Sequence, residues 1–296
     1  MNRVCVILNP AAKSERARQL KDKVRRMARG ATLKLTEGPG DAEAQAERAV
    51  QQGYEVIVAA GGDGTINEVV NGLEEAGDRV ALGILPIGSV NVFSMELGIP
   101  GQIDRAWEII AEGHTRKVDV ASANGHRFIQ LAGVGLDAQI VENTAWESKK
   151  LLGPLSYVLT ATQMMGRKPP KIRVHSEGGK TVEGSFVLIG NGKFYGGPFS
   201  IFKEAKLDDG LLDVCVFQQQ TPLAMARYFQ GILTGSHMKF DDVRYFQTPR
   251  VEIEADEKVP IEVDGELLGN LPCEFKIEPR QLRVLAPPAK TKKGQR

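Results

Sequence analysis

The turn GGDGT at residues 61–65 constrains the fold of this chain more than any other feature. An apolar, strand-like segment at 55–60 precedes it, and a helical pattern at 66–73 follows it. Three glycines in five residues let the backbone approach a ligand closely, and the N–H groups at the start of a helix favour an anion. The charge of Asp63 would repel a phosphate unless a divalent cation bridged the two, as in sites for magnesium nucleotides. The pattern predicts a nucleotide site with Mg²⁺, and a tight structural turn is the alternative.

Two kinds of secondary-structure pattern divide the chain into predicted domains. Strand and helix patterns alternate over the first third, which is typical of a parallel sheet with covering helices. Short strands separated by turn residues dominate afterwards, which indicates a mainly antiparallel arrangement. We expect an α/β domain at 1–118, a β-rich domain at 119–286 and a basic tail at 287–296.

Composition excludes several classes of protein. The 296 residues are 42% hydrophobic and 25% charged, as in ordinary globular proteins, and the net charge of +1 gives no global field for nucleic acid. Three widely spaced cysteines give neither a disulfide framework nor a zinc spacing. No signal peptide opens the chain and no apolar run is long enough to span a bilayer, so we expect a cytoplasmic protein that reaches any lipid substrate from the water side.

Local basic clusters have two readings. They lie at 13–29, 149–150, 167–171 and 290–293. Most such runs are solvated surface. The alternative is contact with phosphate or anionic lipid headgroups, which would place the protein peripherally at the inner membrane surface.

Three turns of the first domain follow predicted strands. They begin at Asn9, at the GGDGT turn and at Gly88, and the last of them runs through Ser89 to Asn91. Ligands of open α/β sheets gather at the carboxyl ends of the strands. The three turns should therefore lie at one edge and provide phosphate-binding donors. The Walker A spacing, the protein-kinase signatures and the GxSxG nucleophile turn are all missing from the sequence.

The second domain contributes two acidic turns. One is KLDDGL at 206–211, and the other is VDGE at 263–266. An Asp-Gly pair is an ordinary hairpin signal. A carboxylate on such a turn could instead hold a cation or accept a proton from a hydroxyl.

Together these motifs resemble the diacylglycerol kinase catalytic-domain family, in its soluble bacterial lipid-kinase branch. The chain carries NPAAK at 9–13, GGDGTINEVVNGL at 61–73, LPIGSVNVFSMELGIP at 85–100, KVDV at 117–120, KLDDGLLDV at 206–214 and VDGE at 263–266. The motifs occur in the order typical of the family and span nearly the whole chain.

The resemblance implies a three-layer α/β nucleotide-binding domain, a β-rich sandwich domain and ATP in the cleft between them. It assigns contacts with ATP to Asn9, Thr36, Gly61, Gly62, Asp63, Gly64, Thr65, Ile66, Asn67, Glu68, Gly88, Ser89 and Asn91. Ser89 stands where the family usually has Thr, and Val92 replaces its usual Asp. Asp63 should act near the ATP phosphates and their catalytic Mg²⁺.

In the second domain the resemblance makes Glu266 the proton acceptor from the lipid hydroxyl. It gives Asp209 a structural Mg²⁺, shared with the main-chain oxygens of Lys206 and Leu211. Asp119 and Lys13 would belong to a charge network around these groups.

The implied activity is ATP-dependent phosphorylation of a lipid hydroxyl, with diacylglycerol as the leading acceptor and phosphatidic acid as the product. Another lipid, such as a sphingoid base or phosphatidylglycerol, is an alternative acceptor. An NAD kinase-like enzyme and a non-catalytic nucleotide-binding regulator are further alternatives. A homodimer is also expected by resemblance.

Overall fold

The computed structural model describes residues 3–10, 22–136, 138–139 and 169–288. The chain forms two compact units, one made of Met1–Val118 with Arg280–Arg296 and the other of Asp119–Pro279. The sequence assigned 119–286 to the second domain, whereas residues 280–286 belong to the first unit. Lys13 and the basic cluster at 149–150 lie outside the described residues.

A parallel sheet forms the centre of the first unit. Its strands are β1 (Val4–Leu8), β2 (Thr32–Leu35), β3 (Val56–Gly61) and β4 (Ala81–Pro86), in the order β2-β1-β3-β4. The last strand of the chain, β18 (Cys273–Leu285), adds its end to β4, with Val284 opposite Leu82. Every residue of β3 and β4 is buried, as expected for parallel strands covered on both faces.

Helices connect these strands. They are Asp41–Gln51, Asp63–Gly72, Val92–Leu97 and Ile103–Glu112, with a 3-10 helix at Glu74–Arg79 and helical residues at 22–27. The helix Asp41–Gln51 buries Ala42, Ala46 and Ala49 on one face, at the spacing of an amphipathic helix. The helix Asp63–Gly72 starts directly after β3, so the end of that strand and the GGDGT turn form one rigid junction.

The second unit is an antiparallel β-sandwich. Its first sheet has six strands in the order β14-β13-β10-β7-β16-β17, and its second contains β9, β8, β15 and the beginning of β18, together with β5 and β6. The strands of the two sheets are β5 (Thr115–Ala123), β6 (His126–Phe128), β7 (Leu131–Val134), β8 (Ile172–Ser176), β9 (Thr181–Gly184), β10 (Phe186–Gly190), β13 (Leu212–Phe217), β14 (Val243–Thr248), β15 (Arg250–Ala255), β16 (Pro260–Val263) and β17 (Glu266–Asn270). Two short strands, β11 (Phe194–Tyr195) and β12 (Phe199–Ser200), pair with each other in a separate sheet. One apolar core joins residues of both sheets, including Phe128, Val187, Val214, Ile253 and Phe275.

The six-stranded sheet is covered on its other face by the helix Pro222–Thr234. Successive residues of β10 point to opposite faces. Val187 and Ile189 therefore enter the sandwich core, while Phe186 and Leu188 pack with Tyr228 of the helix. A 3-10 helix at His237–Lys239 follows.

No helix among the described residues is long and apolar enough to cross a membrane.

Candidate active site

The two glycine turns of the first unit touch each other through their backbones. A Cβ added to Gly88 would lie 2.5 Å from Gly62 Cα, and one added to Gly61 would lie 2.5 Å from Thr65 Cβ. Both distances are far below ordinary van der Waals contact, so a side chain at Gly88 would force the two turns apart and one at Gly61 would displace Thr65 within the GGDGT turn. Glycine is required here by this close approach, and not by an unusual backbone angle.

Asn91 closes the second turn. Its Oδ1 accepts from the Gly88 N–H at 3.0 Å, and its Nδ2 donates to the Gly88 carbonyl at 2.8 Å. Asn91 itself has φ of 57°, in the left-handed region that Asn tolerates better than most residues. The Asn predicted to contact ATP is therefore also the residue that shapes the turn.

Asn9 links the first turn of the sheet to the GGDGT turn. Its Nδ2 donates to Thr65 Oγ1 at 2.9 Å, and its N–H donates to the Ala60 carbonyl at 3.0 Å. Thr36, after β2, is buried, and its N–H donates to the Leu8 carbonyl at 3.0 Å. The carboxyl ends of β1, β2, β3 and β4 therefore bring the predicted residues to one edge, as the sequence indicated.

The helix Asp63–Gly72 begins without a side-chain cap. The Ile66 N–H donates to the Gly62 carbonyl at 3.0 Å, so the N–H groups of residues 63–65 precede the first intrahelical bond. Such N–H groups, with the helix dipole behind them, attract an anion. This end of the helix has the chemistry to bind a phosphate group.

The Asp63 carboxylate lies at the start of the next helix. Its Oδ1 accepts from the Phe93 N–H at 3.3 Å. Burial raises the pKa of this carboxyl, and hydrogen bonds from the backbone at Val92 and Phe93 partly oppose the rise. A bound cation nearby would favour the ionised form. Asp63 therefore connects the two turns and fits a position beside a metal–phosphate group.

Other residues predicted to contact ATP have structural contacts. Glu68 Oε2 accepts from the Ala42 N–H at 3.0 Å, and Asn67 accepts from Asn71 Nδ2 through its carbonyl at 3.0 Å. The Ile66 side chain is fully buried, whereas Ser89 is exposed. Their contacts with ATP stay predictions.

In the second unit the VDGE turn is a hairpin between β16 and β17. Asp264 and Gly265 are its two loop residues, with φ of 48° and 88°, and Val263 is opposite Glu266. The Asp-Gly pair suits a turn in which both central residues have positive φ. The hairpin reading of this motif is confirmed, and Glu266 is the first residue after the loop, with an exposed side chain.

Asp264 anchors this hairpin to the strand region before β7. Its carboxylate accepts three backbone hydrogen bonds, from Ile129 at 2.8 Å and from Gln130 and Leu131 at 3.0 Å each. Hydrogen bonds to an ionised acceptor are stronger than neutral ones. The position of Glu266 is therefore set by its neighbour two residues earlier.

The DDG turn is held by a second carboxylate. The Gly210 N–H donates to Asp119 Oδ2 at 2.7 Å, and the Asp119 N–H donates to the Leu207 carbonyl at 2.6 Å. Asp209 Oδ1 accepts from the Leu211 N–H at 3.2 Å. Asp119 is fully buried, so the turn is fixed from inside the unit.

Asn191 joins the two acidic turns. Its side chain is fully buried, and its Nδ2 donates to the carbonyl of Asp119 at 3.1 Å and to that of Ile129 at 3.0 Å. Asp119 holds the DDG turn, and Ile129 is bonded to the hairpin through Asp264. A continuous set of hydrogen bonds therefore connects the turn of Asp209 to the hairpin of Glu266.

The surroundings of Asp209 fit a cation. Burial raises the pKa of this carboxyl, the Leu211 N–H and Lys206 oppose the rise, and the charges of Asp119 and Asp208 add to it. A magnesium ion would offset that crowding of negative charge. The described residues contain no group of three or more His, Cys, Asp or Glu side chains that could hold a metal, so main-chain oxygens and water would complete the shell, as is usual for Mg²⁺.

Comparison with known proteins follows the same division of the chain. A family model for the diacylglycerol kinase catalytic domain matches residues 3–123, and one for the YegS C-terminal NAD kinase beta sandwich-like domain matches residues 131–286. A protein named diacylglycerol kinase from Staphylococcus aureus (strain MRSA252) is 34% identical over 292 residues, which cover 96% of this chain and 92% of that protein. This chain belongs to the diacylglycerol kinase family.

Solved structures agree with the membership in this family. One from Bacillus anthracis str. Sterne has a TM-score of 0.83 and 28% identity, and covers 98% of this chain and 97% of that chain. A second from the same organism, described as a diacylglycerol kinase, has a TM-score of 0.80 and 27% identity, with 98% of each chain covered. The predicted fold class and the predicted enzyme class, an ATP-using lipid kinase, are confirmed.

The family motifs did not reveal how two residues shape the diacylglycerol kinase site. Asn191 was not singled out from the sequence, and Asp264 was named only as part of the VDGE turn, because their hydrogen-bond partners are 62 to 135 positions away. The Asp-Gly pair at 264–265 was read as a possible hairpin turn, whereas no sequence pattern marked Asn191.

Proposed function

We propose that this diacylglycerol kinase family member transfers the γ-phosphoryl group of ATP to the hydroxyl of diacylglycerol, giving phosphatidic acid. The observation that carries the proposal is the linked pair of acidic turns, which fixes Glu266 and Asp209 in one rigid unit. The name of the relatives at 34% identity supports diacylglycerol as the acceptor.

ATP is held by the glycine turns. The N–H groups at the start of the helix Asp63–Gly72 bind phosphate oxygens, and the contact between Gly62 and Gly88 leaves the backbone open to them. Asn9 keeps the Thr65 hydroxyl in place. A Mg²⁺ ion beside Asp63 would neutralise charge on the phosphates during transfer.

Glu266 accepts the proton of the acceptor hydroxyl. The hydroxyl oxygen forms a bond to the γ-phosphorus as the bond from that phosphorus to the β,γ-bridging oxygen breaks. ADP leaves with the electron pair of the broken bond, and the proton remains on the Glu266 carboxylate until it passes to water. General-base help of this kind contributes about 10²–10⁴ in rate.

Asp209 has a structural task. With the main-chain oxygens of Lys206 and Leu211 it would hold a Mg²⁺ ion that stabilises the DDG turn. Asp119 and Asn191 connect the DDG turn to the hairpin of Glu266. Loosening the DDG turn would therefore also shift Glu266, which accepts the proton of the lipid hydroxyl.

The lipid acceptor gives the enzyme a membrane partner. Since diacylglycerol resides in the bilayer, the protein would act peripherally at the inner membrane surface. A homodimer is a further proposal that sedimentation would test.

A transfer assay tests the function. The protein is incubated with γ-labelled ATP, Mg²⁺ and detergent-dispersed diacylglycerol, with sphingosine, phosphatidylglycerol and NAD in parallel. We expect label in phosphatidic acid, and a loss of about 10²–10⁴ in Glu266→Gln. Label in another acceptor alone would replace diacylglycerol, and ATP binding without transfer to any acceptor would favour a regulator.

A further inference from the structure

The side-chain amide of Gln130 is buried in the unit that carries Glu266. Gln130 is only 5% exposed, and within the described part of the chain neither its Oε1 nor its Nε2 has a hydrogen-bond partner. Most buried polar side-chain atoms in folded proteins are hydrogen-bonded, because a buried donor or acceptor without a partner costs free energy. An amide that keeps its donor and its acceptor open in this way is suited to a polar ligand.

Gly192 leaves the room that this amide occupies. A Cβ added to Gly192 would lie 2.9 Å from Gln130 Cδ and closer still to its Oε1. The N–H groups of Asn191 and Gly192 also donate to the Gln130 carbonyl, at 2.9 and 3.3 Å. The backbone at 191–192 therefore lies along Gln130 from its carbonyl to its amide, and any larger residue at 192 would displace that amide.

The backbone of Gln130 belongs to the end of the sheet that carries Glu266. Its N–H donates to Asp264 Oδ1 at 3.0 Å, and Asp264 is a loop residue of the Glu266 hairpin. Ala132, two residues after Gln130, is opposite Val263, which is in turn opposite Glu266. Because neighbouring strands lie about 5 Å apart, the backbones of Ala132 and Glu266 are about 10 Å apart. The hairpin therefore brings the amide and the carboxylate to the same end of the sheet.

The polar groups of diacylglycerol differ in what they need from the protein. Its hydroxyl donates a hydrogen bond, and in the proposed reaction Glu266 accepts that proton. Its ester carbonyls only accept hydrogen bonds, so each of them needs a donor from the enzyme or from water. The Nε2 group of Gln130 carries two N–H donors, which match an ester carbonyl. A lipid with ether linkages lacks these carbonyls and offers this amide no matching acceptor.

We propose that the Gln130 amide binds an ester carbonyl of the acceptor lipid, so that this enzyme selects acylglycerols over ether-linked glycerols. Nε2 donates to the carbonyl, and Oε1 accepts from a water molecule that enters with the polar head of the lipid. The inference rests on the proposed function, because it names the part of diacylglycerol that the acceptor site recognises. Gln130 determines specificity, whereas Glu266 carries the proton transfer.

Gln130→Met separates ligand binding from packing, because Met has a similar length and no amide. Since the amide has no partner among the described residues, the midpoint of urea unfolding should stay unchanged or rise. The KM for diacylglycerol should rise about tenfold with kcat kept. Gln45→Met is the matched control, because Gln45 is also buried but its Nε2 donates to the Leu35 carbonyl at 2.8 Å and to Asp41 Oδ2 at 2.9 Å. That variant should unfold at a lower urea concentration and keep the wild-type KM.

The ester preference is measured on two lipids that carry chains of the same length. Initial rates are compared for diacylglycerol and for the ether-linked dialkylglycerol, in the same detergent micelles and with γ-labelled ATP and Mg²⁺. Wild type should have a kcat/KM at least about fivefold higher on the ester, and in Gln130→Met the two values should agree within about twofold. Gly192→Ala should lose the preference as well, because its Cβ would displace the end of the Gln130 side chain.

The outcomes separate the inference from the proposed function. Equal kcat/KM on the two lipids in an active wild type would overturn the inference and leave the proposed function standing. A Gln130→Met variant that unfolds at a lower urea concentration and keeps the wild-type preference would also overturn it, because the amide would then have a structural role only. Phosphorylation of neither lipid by wild type would refute the proposed function, and the inference would fall with it.

Discussion

The glycine turns of the first unit and the acidic turns of the second are built in opposite ways. Gly62 and Gly88 shape their turns by lacking side chains, so the backbone itself becomes the binding surface. Asp264 and Asp119 shape theirs by accepting backbone N–H groups from distant parts of the chain. Each acidic turn is held by one carboxylate, Asp264 or Asp119, while another carboxylate, Glu266 or Asp209, carries the proposed proton or metal chemistry. Phosphate binding at the glycine turns therefore relies on exposed backbone N–H groups. The proposed proton and metal chemistry at the acidic turns relies instead on side chains whose turns are held in place by other side chains.

Among the residues that shape the turns, the largest effect is expected at the glycine contact. In Gly88→Ala the new Cβ would lie 2.5 Å from Gly62 Cα and 2.7 Å from Asn91 Oδ1, so one turn must move. Misplacement by about 1 Å can cost about 10²-fold in rate, and we expect a loss of that order in ATP-dependent turnover with weaker ATP binding. Gly101→Ala is the control, because nothing lies within 4 Å of its added Cβ. Equal activity of the two variants would remove the steric argument.

Asp264→Asn should loosen the hairpin that carries Glu266, because it weakens the hydrogen bonds that hold this hairpin. The variant keeps a residue that tolerates positive φ but loses the charge that accepts three backbone N–H groups. We expect the free energy of unfolding to fall by about 2 kcal/mol, with turnover reduced and ATP affinity kept. Asp256→Asn is the control, since this exposed partner of Arg173 should contribute under about 1 kcal/mol. Urea unfolding measures both, and similar stabilities would show that Asp264 does not anchor the hairpin.

Asn191→Ala probes the connection between the two acidic turns. It leaves the buried carbonyls of Asp119 and Ile129 without this donor, which should cost about 1–3 kcal/mol. Combined with Asp264→Asn, the losses should depart from additivity by at least about 0.5 kcal/mol, because both residues hold the segment at 129–131. Additive losses in a double-mutant cycle would mean that the two turns are independent.

The smallest effect concerns Asp63 and pH. Its folded-state pKa is raised, mainly by burial, so the protonated form stabilises the fold. That stabilisation is complete below the unfolded pKa and is lost as pH rises through the folded one. Asp63→Asn removes this dependence and can still accept from the Phe93 N–H. The stability of the variant relative to wild type should therefore be greater at pH 7 than at pH 4 in urea titrations without nucleotide, and a constant difference would argue that Asp63 is not buried as described.

The same contrast explains how much the sequence could predict. The fold class followed from local patterns, because buried parallel strands and glycine turns are coded within a few residues of each other, as at 55–65. The hairpin at Asp264 was readable as a turn, but its three acceptor contacts were not, since they lie more than 130 positions away. Asn191 carried no signal because a buried side-chain amide between two carbonyls has no sequence pattern. The return of residues 280–286 to the first unit depends on sheet pairing between β18 and β4, which periodicity alone does not specify.

One measurement tests the division of tasks most directly. ATP affinity and lipid phosphorylation are measured side by side in wild type, Glu266→Gln and Gly88→Ala. We expect Glu266→Gln to bind ATP as wild type does and to lose about 10²–10⁴ of the rate of phosphatidic acid formation, while Gly88→Ala loses ATP affinity as well. Phosphorylation by Glu266→Gln within about tenfold of wild type, or unaltered ATP binding by Gly88→Ala, would contradict this division.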